Sequence, residues 1–419
     1  MRGVVLSVIV AFGVPSLHTN HTSNRDSRVS NPFETLSPKP VILQVVPALE
    51  TGGAERTTLD VARAVMMAGG RAIVASRGGR MVPELIVSGA EHIDMAMHSK
   101  NPVVMALNVE RLARIVAREG VDLVHARSRA PAWSALAASR RAGVPFVTTY
   151  HSRVHTKPRL KVFYNSVMVR GDAVIANSSY TADSIRAVHA PDEARIFTVP
   201  RGVDIESFAA VTPSRMEALR GRWGIGEDAG TVFLHPARLT RWKGQAVSIE
   251  AARLLAGRGG ADFTLLLAGD AQGRDGYTAE LEKAIADAGL GARVRLAGHG
   301  DDMAAAYALA DVVLSPSIEP EPFGRTAVEA QAASRPVIVS DAGGQRETVI
   351  EGETGFRVKP NDAAALADAM ARMLAMGPEG RAAMGARGYA NAATHYSVDT
   401  MCRTTLEIYA GLIGRMRSA

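Results

Sequence analysis

Short apolar, β-rich runs alternate with helix-patterned segments along this chain, and the alternation comes in two successive series. The first series has runs at 41–49, 71–76, 92–97, 122–126, 146–150, 173–176 and 196–200. The second has runs at 232–235, 263–268, 294–297, 312–315 and 337–340. Runs that are apolar at nearly every residue suit parallel strands covered by helices on both faces. Strands alternating with helices make βαβ units. At 419 residues the chain is long for one hydrophobic core. The expected fold class is therefore α/β, with two Rossmann-like domains facing a central cleft: 39–205, then 206–397 after a linker near 205–213. Ligands of such sheets gather at the carboxyl ends of the strands, which is where the glycine-rich and charged loops fall. Three helix-patterned segments, 361–376, 379–396 and 398–415, close the chain.

Charge is unevenly spread. Residues 1–205 carry 25 Lys and Arg against 16 Asp and Glu, and residues 206–419 carry 23 against 26. A basic first half implies an anionic partner: a phosphorylated acceptor, an anionic membrane surface or nucleic acid. The stretch 151–171 concentrates the charge. There Arg153, Lys157, Arg159, Lys161 and Arg170 interleave with Leu160, Val162, Phe163 and Val167, without an acid. That is the pattern of a basic amphipathic helix at a lipid or acceptor surface, or of a solvated helix face. Nucleic acid rests on overall charge alone, with no binding motif, and is not expected as a partner. A single cysteine, Cys402, excludes a disulfide framework and a multi-cysteine zinc site. D-x-D and H-E-x-x-H patterns are absent, and no metal or other cofactor is expected. Residues 1–38 are set apart from the fold. Their apolar run at 3–17 fits a flexible extension, a mis-assigned start or a short signal sequence, and is too short to span a bilayer.

The loops at the strand ends carry the candidate chemistry. Gly52-Gly53-Ala54-Glu55-Arg56 opens a helix, where glycines admit close approach and the helix start favours an anion; a plain glycine turn has the same signature. Arg238 and Lys243 precede another helix, and two fixed cations there suit a diphosphate or form a solvated basic loop. Gly269-Asp270 ends the 263–268 run and faces the cleft or simply turns. Glu321-Pro322-Phe323-Gly324-Arg325-Thr326 leads into a helix that places Glu329 about one and a half turns in. That helix start offers N–H groups to an anion, and Arg325 and Glu329 are also spaced for an i,i+4 ion pair. Gly343-Gly344 with Glu347 follows the last run. His151 ends the 146–150 run, where it reaches a sugar or acceptor hydroxyl or serves a structural role. His125 and Arg127 end the run before it in the same way.

In this order, Gly52-Gly53-Ala54-Glu55-Arg56, Pro200-Arg201-Gly202-Val203-Asp204, Arg238 with Lys243-Gly244, Glu321 with Glu329, and Gly343-Gly344 with Glu347 resemble the retaining glycosyltransferases of family 4, the group 1 glycosyl transferases. The resemblance runs from about residue 41 to the C-terminus. It implies the GT-B fold, with the last helix, 398–419, crossing back to the first domain. It implies that Arg238 and Lys243 hold the diphosphate of a UDP- or GDP-linked sugar donor and stabilise charge on the leaving group. Glu321 would contact sugar hydroxyls. Gly324 and Arg325 would offer N–H groups to phosphate, with Thr326 beside them, and Glu329 would take the ribose hydroxyls. Gly52, Gly53 and Gly269 would adjoin the donor. His151 would join Glu321, Arg238 and Lys243 as a catalytic group, while Arg127, Arg153, Lys157, Arg159 and Lys161 would mark the acceptor or membrane side. The implied chemistry is a metal-independent front-face hexosyl transfer, not a hydrolase acid/base pair. The expected acceptor is a glycan or glycolipid in bacterial lipopolysaccharide or surface-polysaccharide assembly, with the enzyme cytoplasmic and peripheral on the inner membrane face. The alternative is an NDP-sugar epimerase on the same fold, which acts on the donor without an acceptor.

Overall fold

The computed structural model describes residues 31–418 apart from 152, 153, 155, 227, 260 and 261. Two parallel sheets follow one another. The first contains β1 Val41–Val45, β2 Arg71–Ser76, β3 Glu91–Asp94, β4 Leu123–Ala126, β5 Phe146–Tyr150, β6 Ala173–Ala176 and β7 Ile196–Thr198, in the order β3-β2-β1-β4-β5-β6-β7. The second contains β8 Thr231–Pro236, β9 Phe263–Ala268, β10 Val294–Gly298, β11 Val312–Ser315, β12 Val337–Ser340 and β13 Gly355–Val358, in the order β10-β9-β8-β11-β12-β13. Helices cover both faces, so β9 and β11 are buried at every residue and read as continuous apolar runs.

In each sheet the strand order reverses beside the first strand, between β1 and β4 and between β8 and β11. Loops leaving such a switch point diverge and open a crevice. The loops after β1, β4, β8 and β11 carry Gly53, Arg127, Lys243 and Glu321, so strand order brings these residues to the cleft.

The helix Val398–Ser418 packs on the first domain, as expected. Its Met401, Leu406, Leu412 and Ile413 share a core with Ile42, Leu59, Val61 and Val65, and each such burial contributes roughly 2 kcal/mol of gross hydrophobic free energy. The Tyr409 hydroxyl meets His125 Nδ1, and Arg417 Nη2 reaches Asp122 Oδ1 at 2.7 Å. No helix among the described residues is long and apolar enough to cross a membrane.

Three features differ from the expectation. Residues 31–38 belong to the fold: Phe33 is fully buried, and Asn31 Nδ2 donates to Ala68 O at 3.0 Å. Residues 1–30 lie outside the described residues. The stretch 205–213 holds a short helix, Ile205–Ala209, and the start of the helix Pro213–Arg222. β13 escaped notice because a four-residue edge strand carrying Arg357 has no apolar run.

Candidate functional site

On the second domain, Glu321 is 7% exposed. Its Oε1 receives Lys243 Nζ at 2.7 Å, Gln345 Nε2 at 3.2 Å and the Ser317 hydroxyl. Gln345 Nε2 also reaches Ser315 Oγ at 2.6 Å. Oε2 accepts no hydrogen bond among the described residues. The loop is pinned from behind, where Gly344 N donates to Glu321 O at 2.8 Å. Gly343 has φ 64°, and a Cβ there would lie 2.4 Å from Glu321 O, so both backbone and space require glycine. Lys243 ends the turn Arg241–Lys243 and lies over the Trp242 ring, with Nζ 4.4 Å from its centroid. Such a buried ion pair is costly to break one partner at a time, about 3–5 kcal/mol.

The structure brings Lys243 and Glu321 together and leaves Arg238 exposed on the same loop. Gly269 has a packing reason to be glycine: a Cβ there would meet Ala237 O at 1.9 Å. It thus supports the base of the Arg238 loop through backbone contact. Arg325 and Glu329 form the i,i+4 pair, Nε to Oε1 at 2.6 Å, and Tyr307 donates to Glu329 Oε2 at 2.8 Å. Burial, reinforced by Glu329, holds the Tyr307 hydroxyl pKa well above its usual value. Thr326 is half-buried one residue into the helix Arg325–Ala332.

On the first domain, Gly52 and Gly53 open the helix Gly53–Met67. Behind them lies a cavity of about 200 Å³ whose lining includes Ala54, Glu55, Arg127, Arg129, Tyr150 and His151. Both ring nitrogens of His151 are shut off from solvent without a hydrogen-bond partner among the described residues. Burial, with Arg201 and Arg127 adding repulsion, keeps this imidazole neutral, its pKa well below the usual value. His125 is structural, held between Tyr409 and Thr149 Oγ1, the latter at 2.7 Å.

Two expectations for the acceptor or membrane side need correction. Arg127 is only 3% exposed, and its Nε donates to Gln44 Oε1 at 2.7 Å, so it lines the cavity and cannot meet a membrane. The long basic helix is short: Pro158 caps Arg159–Asn165, a 3-10 turn Ser166–Val169 follows, and Val167 and Met168 enter the core. Lys157, Arg159 and Lys161 are exposed there. Arg153 lies outside the described residues.

Sequence reasoning missed the clamp between the domains. Glu347 Oε2 and Oε1 accept from Ser179 N at 2.7 Å and Tyr180 N at 2.6 Å, at the start of the helix Ser179–His189. Pro322 O accepts from Thr181 Oγ1 at 3.1 Å and from the Ser178 hydroxyl. The available signal was Ser178, an N-cap residue type before a helix. Arg201, quoted only as part of a motif, also faces the cleft, with its guanidinium against Gly53.

Two parallel-sheet domains, a charged cleft between them and a terminal helix crossing back define the GT-B architecture. Residues 51–207 match the model of Glycosyltransferase Family 4, and residues 217–391 match that of Glycosyl transferases group 1. The chain is 30% identical over 306 residues to D-inositol 3-phosphate glycosyltransferase of Xylanimonas cellulosilytica, covering 69% of this chain and 72% of that protein. Among solved structures, a glycosyltransferase from Rickettsia africae aligns with TM-score 0.82 and 35% identity, over 90% of this chain and 99% of that one. HepE from Anabaena, solved in complex with UDP-glucose, aligns with TM-score 0.74 and 25% identity, over 88% and 99%. This chain belongs to glycosyltransferase family 4, the group 1 glycosyl transferases, and is a glycosyltransferase.

Proposed function

We propose that this glycosyltransferase moves a hexosyl group from a UDP- or GDP-linked sugar to a sugar or lipid-linked acceptor, with retention and without a metal, in lipopolysaccharide or surface-polysaccharide assembly. The observation that carries this is the convergence of Lys243, Ser317 and Gln345 on one oxygen of a buried Glu321 at the sheet's switch point. The other oxygen is left for a sugar hydroxyl. Lys243 and Arg238 supply positive charge to the leaving diphosphate. Glu329 takes the ribose hydroxyls, and the helix starts at Gly53 and Gly324 offer N–H groups to phosphate. His151, neutral, donates or accepts one hydrogen bond at the sugar. The bond from the anomeric carbon to the phosphate oxygen breaks on the face where the acceptor oxygen bonds, and the acceptor's proton passes to the leaving phosphate.

A basic first domain suits an acceptor bearing phosphate, the kind after which the inositol-phosphate relative is named. Leu160 is 79% exposed and Phe163 59% beside Lys157, Arg159 and Lys161. This supports peripheral contact with anionic lipid on the inner face of the cytoplasmic membrane.

Calorimetry with UDP, GDP and ADP tests the donor, and binding of none would sink the reading. Nucleotide release from the donor sugar should then depend on added glycan or glycolipid. Sedimentation with phosphatidylglycerol vesicles should retain the protein and phosphatidylcholine vesicles should not; equal behaviour would refute the membrane contact.

A further inference from the structure

We propose that Arg201 is a phosphate-holding residue of the donor site, supplied by the hinge between the domains and aimed at the sugar-linked phosphate; this rests on the transferase reading above. Two residues after Arg201 the chain crossings meet. Val203 N donates to Tyr396 O at 2.8 Å, and Val398 N to Val203 O at 3.2 Å. The backbone beneath Arg201 is therefore tied to both crossings. Its side chain reaches the first turn of the helix Gly53–Met67, where a Cβ on Gly53 would lie 2.0 Å from Arg201 Nη2 and 2.7 Å from Cζ.

That is an unfavourable place for a lone cation. The helix start carries partial positive charge. Burial, then Arg325 and Arg127, pull the Arg201 pKa down to about 10, with Glu329 and Glu55 opposing in part. Arg201 makes no ion pair or hydrogen bond among the described residues, and Glu329 is already engaged by Arg325 and Tyr307. Arg127 Nη2 and both His151 nitrogens are likewise buried without a hydrogen-bond partner among the described residues. Glu329 and Glu55 offset this gathering of cations only in part, neither pairs with Arg201, and an anion placed there lowers the remaining free energy. A guanidinium forks onto two phosphate oxygens, and the Gly53 helix start supplies N–H groups to the same group. Gly53 is glycine, on this view, because a methyl group would occupy the place of the guanidinium.

A phosphate on the acceptor would offer the same chemistry, so the test separates the two sources. Calorimetry on the full chain with UDP, GDP and ADP first selects the nucleotide; if none binds, the transferase reading itself fails. With the one that binds, Arg201→Gln should weaken the diphosphate about 10- to 100-fold and leave the matching monophosphate within about twofold. Arg201→Lys should recover part of the loss. Gly53→Ala should reproduce it by displacing the guanidinium, and the double variant should be no worse than either single one. Unchanged diphosphate affinity in Arg201→Gln overturns the proposal, and a rise confined to the acceptor KM would assign the residue to an acceptor phosphate instead. Equal losses for mono- and diphosphate, or a lowered melting temperature that accounts for them, would also overturn it, as marks of a structural role.

Discussion

On the second domain's wall of the cleft the glycines press against backbone, and on the first domain's wall they face the tips of charged side chains. A Cβ on Gly343 would lie 2.4 Å from Glu321 O, and one on Gly344 2.6 Å from Phe323 Cα. A Cβ on Gly52 would instead meet Glu55 Oε2 at 2.0 Å, and one on Gly53 would meet Arg201 Nη2 at 2.0 Å. Backbone at a strand end cannot yield without moving the sheet, whereas a carboxylate or guanidinium tip can swing away. The second wall is a rigid mould in which Glu321 already has its cation. The first wall is adaptable and keeps Arg201 and Arg127 without carboxylate partners in contact. Shape is set on one side, and electrostatic attraction is held ready on the other.

The contrast can be broken most forcefully at the ion pair. Lys243→Ala should lower turnover about 10²- to 10³-fold, by removing positive charge from the leaving group and leaving Glu321 without its cation. Steady-state turnover close to that of the unaltered enzyme would show that the mould does not act on the donor. The glycines provide a sharper and smaller test. Gly343→Ala should cost about 1–3 kcal/mol of stability through strain at positive φ and displacement of the Glu321 loop. Gly52→Ala should cost less than about 0.5 kcal/mol, because only the Glu55 carboxylate must move. Equal losses in denaturant titrations would erase the distinction between rigid and adaptable walls.

The smallest effect is a pH dependence on the first wall. Burial raises the Asp60 pKa to about 6, with Arg56 and Arg127 opposing. The folded chain thus holds this proton more tightly than the unfolded one. Its contribution to stability is full below the unfolded carboxyl range near 4 and is lost as pH rises through 6. Asp60→Asn should flatten the stability profile over that window and raise the melting temperature at pH 7. A profile unchanged by the substitution would place the carboxyl in a wetter setting.

The strand series, the helical caps and the loops bearing Lys243, Glu321 and Glu329 were legible because apolar runs and helix starts are local properties of sequence. The end of the 122–126 run placed Arg127 at the cleft, and only its burial against Gln44 excludes the membrane side. The basic stretch 151–171 misled because charge pattern alone does not show that Val167 and Met168 turn into the core.

Two α/β domains, a family of enzymes and the chemical types at the cleft can be read from residue order alone. Which of those groups meet depends on the folded chain. Lys243 meets Glu321 across 78 residues, and Ser179 meets Glu347 across 168. Such separations are closed by strand order and by the packing of two domains, which no local periodicity encodes. For the same reason Arg201, a hinge residue by sequence, becomes a cleft cation only when the helix Val398–Ser418 returns to the first domain and fixes the backbone beneath it.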